Sequence, residues 1–244
     1  MLDITFASRD RTFDGLRLPE SQVSFSSAAW HPRLALAPAT RLDARAKRFK
    51  RLLDVSLALT GLMFLALLAL ILMAAIRSES AGPVVFRQRR VGLHGTPFTM
   101  FKFRSMRRYP DVPGILRQAT RHDPRVTRVG RWMRRYSLDE LPQLINVLRG
   151  DMSIVGPRPH APGTRAGGRL FEDVSQRYAA RHSVKPGMTG LAQIRGWRGE
   201  TDTEEKLLRR VDCDLEYIAT WSAGLDLSII WRTAGSVLRT HNAY

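Results

Sequence analysis

The feature that most constrains this chain is a run of 22 residues without charge, from Val55 to Ile76. At about 1.5 Å per residue, a helix of this length reaches roughly 33 Å, enough to cross the hydrocarbon core of a bilayer. The alternative is the core helix of a soluble protein, but such a helix usually carries a polar stripe. The run therefore predicts a helix inserted in a membrane.

Both flanks of this run are strongly basic. Six Lys and Arg residues lie between Arg41 and Arg51, and on the other side Arg77 is followed by a series of arginines that begins at Arg87. The positive-inside rule needs an asymmetry between the flanks, which is missing here. A spanning helix would put one arginine-rich segment outside, whereas a helix that enters and leaves on the cytoplasmic face satisfies both flanks. The flanks favour a re-entrant helix.

Charge and cysteine content narrow the class of partner. Lys and Arg outnumber Asp and Glu by 39 to 22, which gives a net charge of +17. Such a balance implies nucleic acid, anionic lipid headgroups or a phosphorylated substrate as partner, and charge alone supports a soluble nucleic-acid-binding protein equally well. Cys213 is the single cysteine, which excludes an intrachain disulfide, and no His/Cys cluster has the spacing of a zinc site.

The chain divides into three parts. Residues 1–45 are predicted to be a poorly ordered arm and not a signal peptide. Residues 46–80 are predicted to be the membrane-inserted helix with its basic flank. Residues 81–244 are predicted to be an α/β, mostly helical, cytoplasmic catalytic domain. Short β-like runs in 84–104, separated by Gly92 and Gly95, predict a hairpin. A loop over 108–124 and helices near 126–135, 138–149, 170–182, 201–219 and 224–239 follow.

The adjacent carboxylates Asp139 and Glu140 are the main candidates for chemistry. Ser137 and Glu140 match a capping box, so the pair also has a purely structural interpretation as a helix cap. Pro142 cannot donate a helical hydrogen bond, so the regular helix is expected to begin near residue 142, with the carboxylates at its mouth. Carboxylates amid arginines suit phosphoryl chemistry, in which one attacks phosphorus and the other holds a divalent ion.

Several cations near the pair are candidates for binding phosphate. Arg134 precedes the pair, and two prolines in the stiff turn GPRP (156–159) flank Arg158. Lys102 and Arg104 share one face of a strand by period two, although a solvated face explains them equally well. The glycine-rich segment 184–200 has the character of a loop around a nucleotide sugar, and it matches neither a P-loop nor a Rossmann fingerprint.

Taken together, these residues resemble the bacterial sugar transferase family, the monotopic phosphoglycosyl transferases that begin polysaccharide assembly on undecaprenyl phosphate. The resemblance runs from about Lys47 to Thr240. Its five blocks, in the family's order, are KRFKRLLDVSLAL, GPVVFRQRRVGLHGTPFTMFKFRSM, DPRVTRVGRWMRRYSLDELPQLINVLRGDMSIVGPRP, VKPGMTGLAQIRGWRGETDTEEK and DLEYIATWSAGLDLSIIWRT.

The resemblance implies a two-step transfer of hexose 1-phosphate from a UDP-hexose to undecaprenyl phosphate, a phosphotransferase reaction. Asp139 would attack the sugar-bearing phosphate and release UMP, and Glu140 would bind Mg²⁺. The residues that would bind substrate phosphates are Arg134, Arg158, Lys102, Arg104 and Arg198. The block RGWRGETDT resembles members that transfer glucose 1-phosphate, with galactose as the next choice.

The resemblance also implies a place in the cell: the bacterial inner membrane, with the catalytic domain on its cytoplasmic face, at the first step of exopolysaccharide or capsule synthesis. Anionic lipids are expected partners, nucleic acid is not, and downstream glycosyltransferases and oligomerisation stay open. Relative to long family members, the chain is expected to hold only the catalytic unit. One departure concerns the Ser-Pro pair that breaks the family's membrane helix, because this chain has Ala66-Leu67 there.

A competing hypothesis is a catalytically silent, membrane-anchored, basic assembly or binding protein in which Asp139-Glu140 only caps a helix. It predicts that no UMP is released and that replacing Asp139 leaves function intact. The nucleic-acid-binding hypothesis lacks any recognition motif in this sequence.

Overall fold

The computed structural model describes residues 43–107, 120 and 123–239. The predicted arm, apart from its last three residues, and most of the predicted 108–124 loop lie outside this range. The described chain is mostly helical, and its strands form three two-stranded sheets. In chain order the elements are α1 (Ala44–Glu79), β1 (Val85–Val91), β2 (Pro97–Phe103), α2 (Arg128–Arg135), α3 (Gln143–Arg149), β3 (Ser153–Val155), β4 (Arg165–Ala166), β5 (Arg169–Leu170), α4 (Phe171–Val174), β6 (Gly187–Thr189), α5 (Leu191–Ile194), α6 (Glu204–Thr220) and α7 (Ala223–Arg239). Short 3-10 segments occupy Leu93–Gly95, Leu138–Glu140 and Tyr178–Ser183.

Helix α1 is one uninterrupted helix of 36 residues, about 54 Å long. Its N-cap residue is Asp43, whose side chain accepts a hydrogen bond from the amide of Ala46 at 2.7 Å. Among the described residues it is the one helix that is long and apolar enough to cross a membrane, by length and composition. The predicted apolar helix is therefore present, and no proline interrupts it.

One side of α1 packs against the rest of the described chain, residues 85–239, near both of its ends. Near its start, Lys50 pairs with Asp226 of α7 at 2.7 Å. At its end, Glu79 accepts a hydrogen bond from the amide of Arg128, the first residue of α2, at 2.6 Å. Both ends of the helix thus contact the part of the chain that follows it. The other side leaves large apolar side chains exposed: Leu52, Leu59, Met63, Phe64, Leu67, Leu70 and Ile71.

Strands β1 and β2 form the predicted antiparallel hairpin. The register runs from Val85 opposite Phe103 to Val91 opposite Pro97. The connection between the strands includes Gly95, whose φ is 80°. A positive φ favours glycine at this position. Residues opposite each other in an antiparallel pair lie on the same face, so the hairpin sets which side chains of the two strands lie together.

Helix α6 carries the core of the C-terminal half. Leu207, Val211, Leu215 and Ile218 form its predicted apolar face and are 0–3% exposed. The prediction of one helix over 170–182 is wrong, because α4 ends at Val174 and a 3-10 segment, Tyr178–Ser183, follows. The backbone is extended at the intervening residue 175, and five consecutive residues of the 3-10 segment are buried, which is incompatible with a one-sided surface helix.

The segment after α2 carries the candidate residues. The predicted helix over 138–149 is a 3-10 turn, Leu138–Glu140, followed by α3, which has Pro142 at its N-cap. The expected helix start near residue 142 is confirmed. Strand β3 then pairs in parallel with β6 and leads into the GPRP turn. A Cβ atom on Gly187 would lie 2.1 Å from the backbone nitrogen of Gly156, so this approach of two backbones requires glycine.

Candidate active site

The site is built on the turn that begins at Ser137. This residue has a left-handed backbone (φ 57°), which is uncommon outside glycine, and its side chain makes no capping hydrogen bond. Its Oγ instead accepts a hydrogen bond from Nη2 of Arg198. The predicted capping box between Ser137 and Glu140 is therefore not formed, and the carboxylates of Asp139 and Glu140 are left for other contacts.

Glu140 is held by two cations. Its Oε1 accepts hydrogen bonds from Lys102 Nζ at 3.2 Å and from Arg158 Nη2 at 2.5 Å, and its Oε2 accepts from Arg158 Nη1 at 3.3 Å. Burial opposes ionisation of this carboxyl, but the charges of Arg158 and Lys102 outweigh it and hold the pKa of Glu140 below its ordinary value. Glu140 is thus kept as an anion. Burial lowers the pKa of Lys102, and Glu140 partly offsets this effect.

Asp139 has the opposite electrostatic balance. Its side chain is buried, with 8% of the residue exposed. Burial raises the pKa of Asp139 and the neighbouring Glu140 raises it further, against the opposing charges of Lys102, Arg134 and Arg158. A carboxylate with a raised pKa is more basic, and therefore more nucleophilic, than an ordinary aspartate.

Two arginines hold Arg158 in position through hydrogen bonds to the backbone of its turn. Arg90 Nη1 donates to the carbonyl of Pro159 at 3.1 Å, and Arg181 Nη2 donates to the carbonyl of Arg158 at 2.8 Å. Arg181 is paired at 2.6 Å with Asp214 of α6, and these two side chains are only 2% and 4% exposed. A buried ion pair thus positions the guanidinium that holds Glu140.

The segment with the sequence RGWRGETDT (195–203) also contacts the site. Arg198 reaches Ser137, as described above. Farther along, Arg210 of α6 holds the segment through the carbonyl of Gly199 at 2.8 Å and through the hydroxyl of Thr201. The segment therefore connects α6 to the turn that begins at Ser137.

The structure brings most of the predicted site residues together. Glu140, Lys102 and Arg158 are in direct contact, Arg198 bonds the same turn, and the charge of Arg134 at the end of α2 acts on Asp139. Their roles in binding phosphate stay predictions.

Arg104 is the predicted phosphate ligand that the structure does not bring to this site. Its guanidinium donates to the carbonyls of Pro83 at 2.8 Å, Ile76 at 3.3 Å and Ser80 at 2.6 Å, so it fixes the end of α1. The period-two argument that placed it beside Lys102 does not apply, because β2 ends at Phe103 and the alternation of a strand ends with it.

Sequence reasoning missed four residues that shape the site: Arg90, His160, Arg181 and Asp214. Arg90 is half-buried, and loss of solvent around its guanidinium, with the nearby charge of Arg158, lowers its pKa to about 10. The hairpin register places Arg90 opposite Phe98, on the face that also carries Lys102, so the register was the missing signal. The other three had no local signal, because they meet only through the tertiary fold.

The donor set suits one kind of metal ion. Within the described ranges there is no group of three or more His, Cys, Asp or Glu side chains that could hold a metal alone. Mg²⁺ is usually bound by one or two carboxylates together with substrate phosphates and water. The adjacent carboxylates of Asp139 and Glu140 fit that pattern, with Glu140 as the predicted ligand, when a diphosphate supplies the remaining oxygens.

Chemically, the arrangement joins a basic, buried carboxylate to a set of cations beside it. Such a carboxylate can attack phosphorus, and the cations can offset charge on the phosphoryl oxygens. The site therefore suits phosphoryl transfer from an anionic donor.

Comparisons with known proteins find relatives that are named as phosphotransferases or sugar-phosphate transferases. An undecaprenyl-phosphate glucose phosphotransferase of Komagataeibacter xylinus is 52% identical over 80% of this chain and 37% of its own length. A UDP-glucose:undecaprenyl-phosphate glucose-1-phosphate transferase of Caulobacter vibrioides is 50% identical over 85% of this chain and 74% of its own. The exopolysaccharide production protein PSS of Rhizobium leguminosarum bv. phaseoli is 47% identical over 78% of this chain and 94% of its own. The chain thus spans well under half the length of the Komagataeibacter relative.

The family description "Bacterial sugar transferase" matches residues 45–240, which include every predicted site residue. With that match and these relatives, the chain belongs to the bacterial sugar transferase family.

Proposed function

We propose that this protein transfers hexose 1-phosphate from a UDP-hexose to undecaprenyl phosphate, with glucose favoured and galactose next. The observation that carries the proposal is the pairing of a buried, basic Asp139 with a Glu140 that Lys102 and Arg158 keep ionised. The names of the Komagataeibacter and Caulobacter relatives support the choice of donor and acceptor.

In the first step, a carboxylate oxygen of Asp139 attacks the sugar-bearing phosphorus. A new P–O bond forms to Asp139, the P–O bond to UMP breaks, and UMP leaves with the electron pair. Arg158, Lys102 and Arg134 offset the charge on the phosphoryl oxygens, since all three charges act on Asp139. When bound, Mg²⁺ on Glu140 supplies further neutralisation of the diphosphate.

In the second step, an oxygen of undecaprenyl phosphate attacks the same phosphorus. The bond to Asp139 breaks, the carboxylate is regenerated, and the product is undecaprenyl diphosphohexose. Burial of Asp139 protects the mixed anhydride from water between the two steps. The name of the Rhizobium relative supports a place at the start of exopolysaccharide synthesis.

We also propose that α1 enters and leaves the membrane on the cytoplasmic face of the inner membrane. The support is geometric: Lys50 near one end and Glu79 at the other contact the same catalytic domain, so the two ends belong on one side. Because α1 has no break, a helix with both ends on one side of the membrane would lie along that side. Its exposed apolar side chains are then the surface that contacts lipid.

This topology predicts that both flanks of α1 are labelled from the cytoplasmic side. Single cysteines at the exposed residues Arg45 and Arg77, in a Cys213→Ala background, are expected to react with an impermeant maleimide only in inside-out vesicles. A cysteine at exposed Arg177 of the catalytic domain serves as the reference. Labelling of one flank in right-side-out vesicles would rule out the same-side arrangement.

Anionic lipids are the proposed surroundings of the C-terminal end of α1. A cavity of about 450 Å³ lies there, and its lining includes Arg107, Arg128 and Arg131. Trp132, on the same helix as the last two, is half-exposed. Arginines beside an exposed tryptophan, next to an apolar helix, are typical of the headgroup layer.

The reaction is tested by UMP release from detergent-purified protein with Mg²⁺, undecaprenyl phosphate and a panel of UDP-hexoses. We expect release with UDP-glucose first and UDP-galactose second, and a lipid-linked hexose as the second product. Absence of UMP with every donor would contradict the proposal. It would favour the competing hypothesis of a catalytically silent assembly or binding protein. Release without a lipid-linked product would make the chain a hydrolase of nucleotide sugars.

A further inference from the structure

A small cavity lies directly behind Arg158. Its volume is about 10 Å³, which is room for one oxygen-sized group. Arg158, Gln193 and Trp197 are its half-buried lining residues, and Arg158 also holds Glu140, so the cavity adjoins the site. Its full lining is Arg158, His160, Arg181, Ala192, Gln193, Trp197, Arg210 and Asp214.

His160 presents a hydrogen-bond donor without an acceptor in this region. Its Nδ1 faces Nη1 of Arg181, and a guanidinium can only donate, so Nδ1 must be the acceptor. Burial and the charge of Arg181 lower the pKa of His160 well below its ordinary value, so the ring is neutral and carries its proton on Nε2. That Nε2 is buried and has no hydrogen-bond partner in the part of the chain that the structure describes. A buried N–H without an acceptor is costly, which points to an absent partner.

Asp214 supplies the complementary acceptor. Both hydrogen bonds that Asp214 accepts from Arg181, at 2.9 and 2.6 Å, end on its Oδ2. Asp214 also lines the cavity, and neither of these two bonds uses its Oδ1. A buried N–H donor and a carboxylate on the lining of one oxygen-sized space match a hydroxyl, which both accepts and donates.

Other parts of a nucleotide sugar do not fit this space. A phosphoryl group or a uracil ring is much larger than a cavity of about 10 Å³, so size alone excludes both. The position suits the sugar, because Arg158 lines the cavity and also holds Glu140 beside Asp139. A hexose whose phosphate lies at Asp139 is therefore close to this cavity.

We propose that this cavity receives one hydroxyl of the donor hexose, with His160 Nε2 donating to it and Asp214 accepting from it. The inference rests on the proposed function and adds a residue that determines sugar specificity. His160 follows the GPRP turn directly, so the turn positions both a phosphate ligand and a sugar ligand.

The test is equilibrium binding to full-length Asp139→Asn protein in detergent with Mg²⁺, measured by isothermal titration calorimetry. The ligands are UDP-glucose, UDP, which lacks the sugar, and UDP-glucose analogues deoxygenated at one position each. Replacing His160 by Leu is expected to weaken UDP-glucose binding about tenfold and to change UDP binding less than about twofold. His160→Gln, which keeps a distal N–H donor, is expected to restore most of the affinity. One deoxy analogue is expected to bind equally to the proteins with and without His160.

The other outcomes overturn the inference in distinguishable ways. An equal loss of UDP and UDP-glucose affinity would show that His160 only supports the turn of Arg158. Unchanged affinities for both ligands would show that the cavity holds a buried water only. No binding of UDP or UDP-glucose, even with His160 in place, would overturn the proposed function itself, and this inference with it.

Discussion

Replacing Asp139 by Asn is expected to lower the rate of UMP release by at least about 10³-fold, because a carboxamide does not attack phosphorus. The variant should fold at least as well as the wild type. The fold raises the pKa of Asp139, so it disfavours the charged form, and a neutral amide of the same shape removes that penalty. The measurements are UMP release with UDP-glucose and the melting temperature in the same detergent.

The matched control for this prediction is Asp212→Asn. Asp212 lies on α6 in an exposed pair with Arg177, with both side chains more than half exposed. We expect its rate and melting temperature to equal those of the wild type. An Asp139→Asn protein that keeps its rate within about tenfold would remove the nucleophile from the proposed mechanism.

Replacing Asp214 by Ala is expected to lower the free energy of unfolding by about 3–5 kcal/mol. Arg181 is 2% exposed, and the substitution would leave its charge buried without its carboxylate partner. The double variant Arg181→Met/Asp214→Leu removes both charges and should recover much of the loss. Chemical denaturation in detergent, followed by tryptophan fluorescence, measures these differences.

Exposed pairs provide the contrast for that prediction. Asp212→Ala breaks a pair in which both partners face water, so it should change the free energy of unfolding by less than about 1 kcal/mol. A cost below about 1 kcal/mol for Asp214→Ala as well would mean that the fold does not depend on the buried pair. The Arg158 turn would then need another support.

The parts of the fold that the sequence predicted are those set by local pattern. The hairpin follows from two short β-like runs separated by Gly92 and Gly95, and the buried face of α6 follows from helical periodicity. Pro142 predicted where α3 begins, because proline suits the start of a helix and not its interior. Each of these signals acts within a few residues of its effect.

The parts that escaped prediction depend on long-range contacts. The network behind Arg158 joins residues of β1, of the 3-10 segment Tyr178–Ser183 and of α6, which are far apart in the chain. Nothing in the sequence near Arg181 distinguishes it from the many exposed arginines, so its burial is known only from the fold. The same holds for Arg104, whose guanidinium is drawn to carbonyls at the end of α1.

The candidate site shows the same division. Asp139, Glu140 and Arg158 were identified from their neighbours in sequence, and the structure brings Glu140 and Arg158 into contact. The choice between a helix cap and a chemical role for the pair could not be made locally. It depends on the left-handed backbone of Ser137 and on its contact with Arg198, 61 residues away.

The most direct test of the central claim is a search for the covalent intermediate in the absence of a lipid acceptor. Wild-type protein is mixed with UDP-glucose and Mg²⁺ without undecaprenyl phosphate, and the products are analysed by rapid quench and by peptide mass spectrometry. We predict a burst of one UMP per protein and one hexose phosphate on the peptide that contains Asp139, both lost in Asp139→Asn. UMP release that requires the lipid acceptor, with no modified peptide, would contradict the account and indicate direct transfer between the two substrates.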